Sequence, residues 1–254
     1  MSNTPKIALV TGGSRGLGRN AARQLAQSGH DIVLTYRSRA DEARAAVAEI
    51  EALGRRAVAL PLDTSVVASF PAFAEALAAE LRQHWQRDTF DFLINNAGID
   101  SAAPFAEMTE ENFDQLLNVH FKGVYFLTQK LLPQLADGGA IVNFSTGLAR
   151  FTTPGYSAYG SLKSAVETLT RYLAKELGSR GIRANVVAPG IIKTDFTQAV
   201  RDAHPELEQY MASQTALGRI GEPDDIGGVV AFLCSDAARW VNGQRIEASG
   251  GYLL

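Results

Sequence analysis

The sequence has 254 residues, of which 46% are hydrophobic, and its 24 basic residues against 27 acidic ones give a net charge of −3. This length suits one large domain with a substantial core, which we place at residues 1–254. A slightly acidic chain offers no electrostatic attraction for nucleic acid or an anionic membrane, so a small neutral or weakly charged ligand is favoured. The single cysteine, Cys234, excludes an intramolecular disulfide and a paired-thiolate metal site.

The N-terminus is short and polar before the first apolar run, Ile7 to Val10, and so lacks the long apolar stretch of a signal peptide. Later apolar runs are interrupted by charge or glycine well before the roughly 20 residues that a membrane-spanning helix needs. The histidines are scattered, and no His-x-x-x-His pair or acidic cluster has ligand spacing. We therefore expect a cytoplasmic protein that binds neither membrane nor metal.

Short apolar segments alternate with longer segments of helical periodicity along the chain. The predicted strands are Ile7–Thr11, Asp31–Arg37, Ala57–Leu62, Phe90–Asn95, Ala140–Ser145, Arg183–Ala188 and Arg245–Ala248. The predicted helices are Leu17–Ser28, Asp41–Leu53, Phe70–Gln86, Glu110–Leu135, Ser157–Leu177 and Asp224–Leu233. Because the strands are apolar almost throughout rather than alternating, helices should cover both faces of the sheet. The sequence predicts an α/β fold, a single-domain, doubly wound (Rossmann-like) parallel sheet of about seven strands.

The stretch from Ile191 to Leu217 has a helical pattern that His204-Pro205 interrupts. It follows a predicted strand, and the ligands of a doubly wound sheet lie beyond the carboxyl ends of the strands. Residues 191–217 are therefore predicted to form a substrate-covering segment. An ordinary surface loop is the alternative.

A glycine-rich turn, from Thr11 to Gly18, follows the first predicted strand and opens a helix. Glycines let the main chain turn tightly and approach a phosphate, while the free N–H groups and dipole of the helix attract an anion. Gly12, Gly16 and Gly18 are spaced G-x-x-x-G-x-G rather than G-x-G-x-x-G. Dinucleotide binding is the favoured interpretation, and a purely structural connection is the alternative.

Two further motifs follow in order: Asn-Asn-Ala-Gly at residues 95–98 ends a predicted strand, and Tyr-Gly-Ser-Leu-Lys at 159–163 opens a predicted helix. With the glycine turn, they make the chain resemble the classical short-chain dehydrogenase/reductase family, in its 3-oxoacyl-carrier-protein-reductase-like group. The resemblance extends from Lys6 to about Gly251. It implies an oxidoreductase that moves a hydride between a nicotinamide cofactor and a carbonyl or alcohol substrate. It also implies a homotetramer that pairs through helices 110–135 and 157–177.

Hydride transfer to a carbonyl leaves negative charge on oxygen, which needs a proton. By the resemblance, Tyr159 donates or accepts that proton, and Lys163 also holds the nicotinamide ribose. Residues four apart share a helix face, and a nearby cation favours the phenolate, so Lys163 is expected to lower the pKa of Tyr159. Without the other motifs, a packed tyrosine and a solvated lysine on an amphipathic helix would explain the pair.

The resemblance also points to a hydroxyl residue, usually serine, thirteen residues before the tyrosine. Here that residue is Thr146, with neighbouring Ser145 as the second candidate; both could instead cap a strand end. His120 stands where the family commonly has an asparagine that helps to hold a water for a proton relay. Either ring nitrogen of a histidine can hold a water, so a relay role and a buried core histidine are both open.

The family's cofactor contacts carry over onto short segments that follow the strands. The predicted cofactor-binding residues are Gly12, Ser14, Arg15, Gly16, Leu17 and Gly18, then Tyr36, Arg37 and Ser38, then Asp63 and Thr64, then Asn95, Ala97 and Gly98, and finally Tyr159, Lys163, Pro189, Gly190, Ile192 and Thr194. Asp63 matches the acid that binds the adenine amino group. The segment from Pro189 to Thr194 matches the one that positions the nicotinamide carboxamide.

The residues at the end of the second strand predict that the protein prefers NADP(H) to NAD(H) as its cofactor, with NAD(H) also possible. NAD-selective members have an acidic residue there that binds the adenosine ribose and would repel a 2′-phosphate, whereas Tyr36 holds that place here. Arg37 and Ser38 follow, and with Arg15 they would surround the extra phosphate. The alternative is that Arg15, Arg37 and Arg39 are solvated surface charges.

Two alternative interpretations assign the protein no catalytic activity. The differences at Thr146 and His120 allow a dinucleotide-sensing or binding protein that has lost catalysis. The second alternative is an inactive partner within a hetero-oligomer. The presence of both Tyr159 and Lys163 favours the enzyme.

Overall fold

The computed structural model describes residues 5–195, 198 and 205–254. Among these residues, seven strands form a parallel sheet in the order β3-β2-β1-β4-β5-β6-β7. The strands are β1 (Ile7–Val10), β2 (Asp31–Tyr36), β3 (Ala57–Pro61), β4 (Phe90–Asn95), β5 (Leu135–Phe144), β6 (Arg183–Pro189) and β7 (Arg245–Ala248). The strand order reverses between β1 and β4, and a doubly wound sheet binds its ligand at such a point, beyond the carboxyl ends of the strands.

Helices connect the strands within the described part of the chain. They are α1 (Gly16–Gln27), α2 (Ala40–Ala52), α3 (Phe70–Trp85), α4 (Glu110–Leu117), α5 (Gly123–Leu131), α6 (Ser157–Glu176), α7 (Pro205–Ser213) and α8 (Asp224–Leu233). A π-helical turn, Asn118–Lys122, joins α4 to α5. None of the helices among these residues combines the length and apolar character that crossing a membrane requires.

The core lies on both faces of the sheet. Ala8 and Val10 of β1 belong to the layer under α1, α2 and α8, whereas Ile7 and Leu9 belong to the layer under α3, α5 and α6. All four are fully buried, because successive side chains of a strand point to opposite faces. This two-sided burial is the reason that the strand sequences are mostly apolar on both faces.

The predicted doubly wound parallel sheet is confirmed, and each predicted strand is present. The prediction of one helix over 110–135 is wrong in detail, because the π-helical turn divides it and α5 ends at Leu131. A short 3-10 turn, Leu132–Gln134, follows with proline in its first positions. Proline lacks the N–H that an α-helix would use there, so the chain leaves the helix and β5 starts at Leu135, before the predicted start at Ala140.

Part of the predicted covering segment is helical, since α7 begins at Pro205. Proline is suited to a first helical turn, because the N–H that it lacks has no helical partner there. Main-chain contacts tie both ends of the segment to the body of the protein: Ile192 pairs with Gly221, and the Leu217 N–H donates to the Gly250 carbonyl oxygen at 3.0 Å. Residues 196–197 and 199–204 lie outside the described residues, and the covering role stays a prediction.

Candidate active site

The glycine-rich turn lies between the carboxyl end of β1 and α1. Gly12 and Gly16 have φ angles of +65° and +55°, in the left-handed region that favours glycine. A Cβ atom at Gly18 would overlap the Gly12 carbonyl oxygen, so a larger residue would displace the turn. Arg15, the N-cap residue, gives α1 no side-chain hydrogen bond. The first N–H groups of α1 are therefore suited to receive an anion.

Asn96 holds this turn against β4. Its Nδ2 donates to the carbonyl oxygens of Thr11 at 2.9 Å and Gly12 at 3.2 Å. Thr11 Oγ1 in turn accepts from the N–H groups of Asn96 and Ala97, both at 3.0 Å. Neither Asn96 nor Thr11 is among the sequence-predicted site residues, although both stand in the motifs, because their contact depends on β1 and β4 being neighbours in the sheet.

The Asn95 side chain lies in the core instead. Its Nδ2 donates to Thr128 Oγ1 at 3.0 Å and to Asn143 Oδ1 at 2.8 Å, and Asn143 Nδ2 donates to Thr170 Oγ1 at 2.8 Å. Asn95 and Asn143 are paired in register on β4 and β5. Because its Nδ2 is committed to this buried network, the Asn95 side chain is not available to donate a hydrogen bond to a cofactor.

Asp63 and Thr64 follow β3 at the edge where the other strands end. Asp63 Oδ1 accepts from the N–H of Ser65 at 2.9 Å and from its hydroxyl at 2.6 Å, which is ordinary turn chemistry. The Thr64 carbonyl packs against α5, because a Cβ atom at Gly123 would overlap it. The contact of Asp63 with adenine stays a prediction.

The predicted phosphate-binding residues after β2 lie at the surface. Arg37 and Ser38 are exposed, and Tyr36 is half-buried. Arg39 pairs with Glu42 at 3.0 Å, and Arg15 lies 3.6 Å from Asp195. Within the described part of the chain, Arg37 has no ion pair, so its guanidinium can receive an added anion without breaking one.

Tyr159 and Lys163 lie on the first turns of α6, and Lys163 anchors that helix to β5. The Lys163 side chain is buried, and its Nζ donates to the Phe144 carbonyl oxygen at 2.8 Å. Nζ lies 5.8 Å from the centroid of the Tyr159 ring. Burial lowers the pKa of Lys163 to about 8. The lysine is thus held beside the phenol with N–H groups to spare.

The pKa of Tyr159 is raised, first by burial and then by the charges of Asp100 and Tyr156. The expectation that Lys163 lowers this pKa is therefore wrong. The ammonium group is bonded to the Phe144 carbonyl, and its charge does not offset the loss of water around the phenol. At neutral pH Tyr159 is a protonated phenol, which is the form that donates a proton.

Thr146 and Ser145 follow β5 and differ in what their hydroxyls contact. Thr146 Oγ1 accepts from the N–H of Leu148 at 3.3 Å, which leaves its own proton to be donated. Ser145 is buried and donates to Glu167 Oε1 at 2.6 Å. Because the serine proton is committed to Glu167, Thr146 is the better candidate for contact with a substrate oxygen.

His120 lies in the π-helical turn and is 1% exposed. Its Nε2 is 2.8 Å from the Ile99 carbonyl oxygen and 3.3 Å from the Ile99 nitrogen; the shorter contact makes Nε2 the protonated nitrogen. Nδ1 then carries a lone pair, and it is buried without a hydrogen-bond partner among the described residues. The ring meets that of Tyr159 edge-on, at 5.0 Å between centroids. Burial, and then the charge of Lys163, lower the pKa of His120 to about 3, so the ring is neutral.

The segment after β6 is held against the end of β7. The Gly190 N–H donates to the Ala248 carbonyl oxygen at 3.0 Å, and a Cβ atom at Gly190 would lie only 2.7 Å from the Ser249 Cα. Thr194 and Gly16 both line a cavity of about 300 Å³ beside α1. The glycine turn and the predicted nicotinamide segment thus meet at one cavity. The described residues contain no group of three or more histidine, cysteine or acidic side chains placed to hold a metal ion.

Comparison with known proteins identifies this arrangement. The family model described as enoyl-(acyl carrier protein) reductase matches residues 12–253. The chain belongs to the classical short-chain dehydrogenase/reductase family. As a short-chain reductase, it is an oxidoreductase of the kind that acts on carbonyl groups.

Several relatives cover almost the whole length of this short-chain reductase. A 3-oxoacyl-(acyl-carrier-protein) reductase of Staphylococcus aureus is 38% identical over 252 residues, which are 98% of each chain. The promiscuous reductase LugOII, which catalyses keto-reduction at C1 during lugdunomycin biosynthesis, has a TM-score of 0.93 and 38% identity over all of both chains. The angucycline C-6 ketoreductase LanV, solved with bound NADP, has a TM-score of 0.93 and 37% identity, covering 99% of this chain and 97% of its own.

We expect the buried, neutral His120 to make this short-chain reductase sensitive to acid. Its pKa is about 3 in the folded protein, against about 6.5 in an unfolded chain. Between these values only the unfolded chain binds the proton, so the free energy of unfolding falls as the pH decreases from about 6.5 to about 3, by up to about 1.4 kcal/mol per pH unit. His120→Asn should remove this contribution. Denaturant unfolding of both proteins across this pH range measures it, and parallel curves would contradict the buried neutral ring.

Proposed function

We propose that this protein is an NADP(H)-dependent oxidoreductase that interconverts a ketone and an alcohol, with Tyr159 as general acid and base. The observation that carries the proposal is the assembly around the Tyr159 ring. Lys163 is fixed to the end of β5 with its Nζ 5.8 Å from the ring centroid, and His120 packs edge-on at 5.0 Å. A proton donor, a cation and a neutral imidazole thus lie together where the strands of the sheet end.

The residues beyond the strand ends fit a dinucleotide. The turn at Gly12 and Gly16 has the positive φ angles that bring main-chain N–H groups close to a phosphate, and the Gly18 position admits no side chain. The predicted residues of this turn would hold the pyrophosphate, and Lys163 would donate to the nicotinamide ribose. When bound, the nicotinamide supplies or accepts the hydride.

Tyr159 supplies the proton. Its raised pKa keeps the phenol protonated at neutral pH, so it can donate to a carbonyl oxygen as negative charge develops there. Thr146 orients the same oxygen, because its hydroxyl accepts from Leu148 and has its proton available. In the opposite direction the phenol must first lose its proton, and the Tyr159 phenolate then accepts the proton of the alcohol.

His120 is proposed to hold a water that returns a proton to Tyr159 by way of Lys163. Its Nδ1 is a buried acceptor without a partner among the described residues, and buried polar atoms of this kind are usually satisfied by water. The charge of Lys163 is near enough to lower the pKa of His120, so the two groups face the same region. A neutral imidazole is suited to accept from such a water.

A ketone is the substrate class that the relatives support. The names of the three relatives describe reduction of a 3-oxoacyl group, a keto-reduction at C1, and a C-6 ketoreductase. The bound NADP of LanV supports the same cofactor here.

We also propose that the chain forms a homotetramer through α4, α5 and α6. Tyr125 and Phe126 on α5, and Tyr172 on α6, are 41%, 38% and 63% exposed. Neighbouring copies would bury these aromatic side chains. The mass of the protein in solution decides the question.

Tyr159→Phe should reduce ketone turnover by more than about a hundredfold, because it removes only the proton-donating hydroxyl. The dissociation constant for NADPH should stay within about twofold, as measured by nucleotide fluorescence. Tyr156→Phe is the matched control, because it removes the hydroxyl of a neighbouring tyrosine. The ring centroids of Tyr156 and Tyr159 are 6.4 Å apart, and this variant should keep most of the activity. If Tyr159→Phe kept more than about a tenth of the turnover, another acid would have to supply the proton.

His120→Asn should keep ketone reduction within about tenfold of the parent, because an amide can also hold the water, whereas His120→Leu should lose far more. The comparison of kcat for the three proteins, each with saturating NADPH, tests the relay. Equal activity in all three would show that the histidine is structural.

The parent should prefer NADPH to NADH by about ten- to a hundredfold in kcat/KM, since each charge-assisted contact with the 2′-phosphate contributes roughly 1.5–3 kcal/mol. The Gly13 N–H donates to the Thr35 carbonyl at 2.9 Å, which places the glycine turn directly against the end of β2. Arg37→Ala should lose much of the preference, and Tyr36→Asp should shift it toward NADH.

Arg39→Ala is the matched control for this preference, because that arginine is exposed but already paired with Glu42. Its ratio of kcat/KM for the two cofactors should match that of the parent. A parent that prefers NADH, or an unchanged ratio in Arg37→Ala, would overturn the assignment.

A further inference from the structure

A group of partly buried charges lies behind Thr146, and Arg245 of β7 is at its centre. Arg245 Nη2 donates to the Thr146 carbonyl oxygen at 3.1 Å, Nε donates to Glu167 Oε1 at 2.7 Å, and Nη1 donates to Glu247 Oε2 at 2.9 Å. Glu167 Oε1 also accepts from Ser145 Oγ at 2.6 Å. One guanidinium thus holds the main chain of Thr146 directly and the side chain of Ser145 through Glu167.

These contacts have little competition from water. The side chains of Arg245, Glu167 and Glu247 are 22%, 14% and 21% exposed. Charge-assisted hydrogen bonds at such sites are stronger than exposed ion pairs, and a planar guanidinium that donates to three acceptors fixes their relative positions. A displacement of Thr146 would therefore disturb the whole group.

The local turn alone holds Thr146 weakly. Its hydroxyl accepts from the Leu148 N–H at 3.3 Å, beyond the usual range for such a bond. Glu167 lies four residues after Lys163 and eight after Tyr159 on α6, so one helix presents the proton donor, the cation and the carboxylate that binds Arg245. The position of Thr146 is thereby tied to that of Tyr159.

We propose that Arg245 and Glu167 are positioning residues, which fix the segment of Ser145 and Thr146 so that the Thr146 hydroxyl faces the substrate oxygen. The inference rests on the proposed role of Thr146 in the reaction. Neither residue touches the reacting atoms in this proposal. Both act through the main chain and hydroxyl that they bind.

Arg150 offers a matched control on the far side of the same group. It binds Glu247 through two hydrogen bonds of 3.0 and 3.1 Å, but its other side-chain hydrogen bonds go to the carbonyl oxygens of Tyr252 and Leu253 rather than to Thr146. The Arg150 side chain is 40% exposed, and its loss removes an ion pair with Glu247 without releasing Thr146. Loss of a contact with Glu247 would affect Arg150→Met and Arg245→Met alike, whereas loss of the contact with Thr146 affects only the second.

The test is a double-mutant cycle on kcat for a ketone at saturating NADPH. Thr146→Ala should lower kcat about a hundredfold, Arg245→Met about tenfold or more, and the double variant should be no worse than Thr146→Ala within about threefold. Arg150→Met should stay within about threefold of the parent. The NADPH dissociation constant should be unchanged in each variant, which also shows that the protein is folded.

The outcomes separate the two proposals. If Thr146→Ala keeps the parent kcat, the role of Thr146 in the proposed function is wrong. If Thr146→Ala is impaired while Arg245→Met is not, or if the two losses multiply in the double variant, positioning by Arg245 is wrong. Should Arg245→Met not fold, Glu167→Gln replaces it in the cycle, because it keeps the side-chain shape and weakens the contacts with Arg245 and Ser145; the same non-additivity is expected.

Discussion

The rest of the site depends on the hydrogen bond from Lys163 Nζ to the Phe144 carbonyl oxygen, 2.8 Å long and buried between α6 and β5. An ammonium group in such a place loses much of its hydration, which is why its pKa falls to about 8. The carbonyl offsets part of that cost and holds the start of α6 at the end of the strand. Tyr159 is then placed one turn before the lysine, and Glu167 one turn after it.

A second buried polar group places the helices relative to the strands. The amides of Asn95 and Asn143 join β4 to β5, while Thr128 on α5 and Thr170 on α6 bond to these amides from outside the sheet. A slip of either helix would leave a buried amide unsatisfied, which costs more than the net stabilisation from the bond. The helices that carry Tyr159 and follow His120 therefore have one favoured position against the sheet.

Local sequence patterns predict much of this fold and less of the site. The strands are predictable because burial on both faces leaves apolar runs, and the glycine turn because positive φ angles favour glycine. Asn95 and Asn96 show where prediction from sequence fails. They are adjacent residues of the same type, yet the Asn95 amide lies in the core and the Asn96 amide holds the glycine turn. The shift in the pKa of Tyr159 could not be predicted from sequence either. Its direction depends on burial and on Asp100 and Tyr156, which come near Tyr159 only in the folded chain.

His120 and Thr146 differ from the residues that the resemblance predicts at their positions, and neighbouring residues accommodate both of them. At His120, the ring is larger than the family's usual asparagine, and Gly98 makes room for it, since a Cβ atom there would lie 3.0 Å from His120 Cε1. The Ile99 carbonyl fixes the ring's tautomer, so that Nδ1 is the acceptor. At Thr146, the guanidinium of Arg245 binds the main chain from behind and leaves the hydroxyl proton available. Residues distant in sequence thus determine which atoms of His120 and Thr146 remain available for the roles proposed for them.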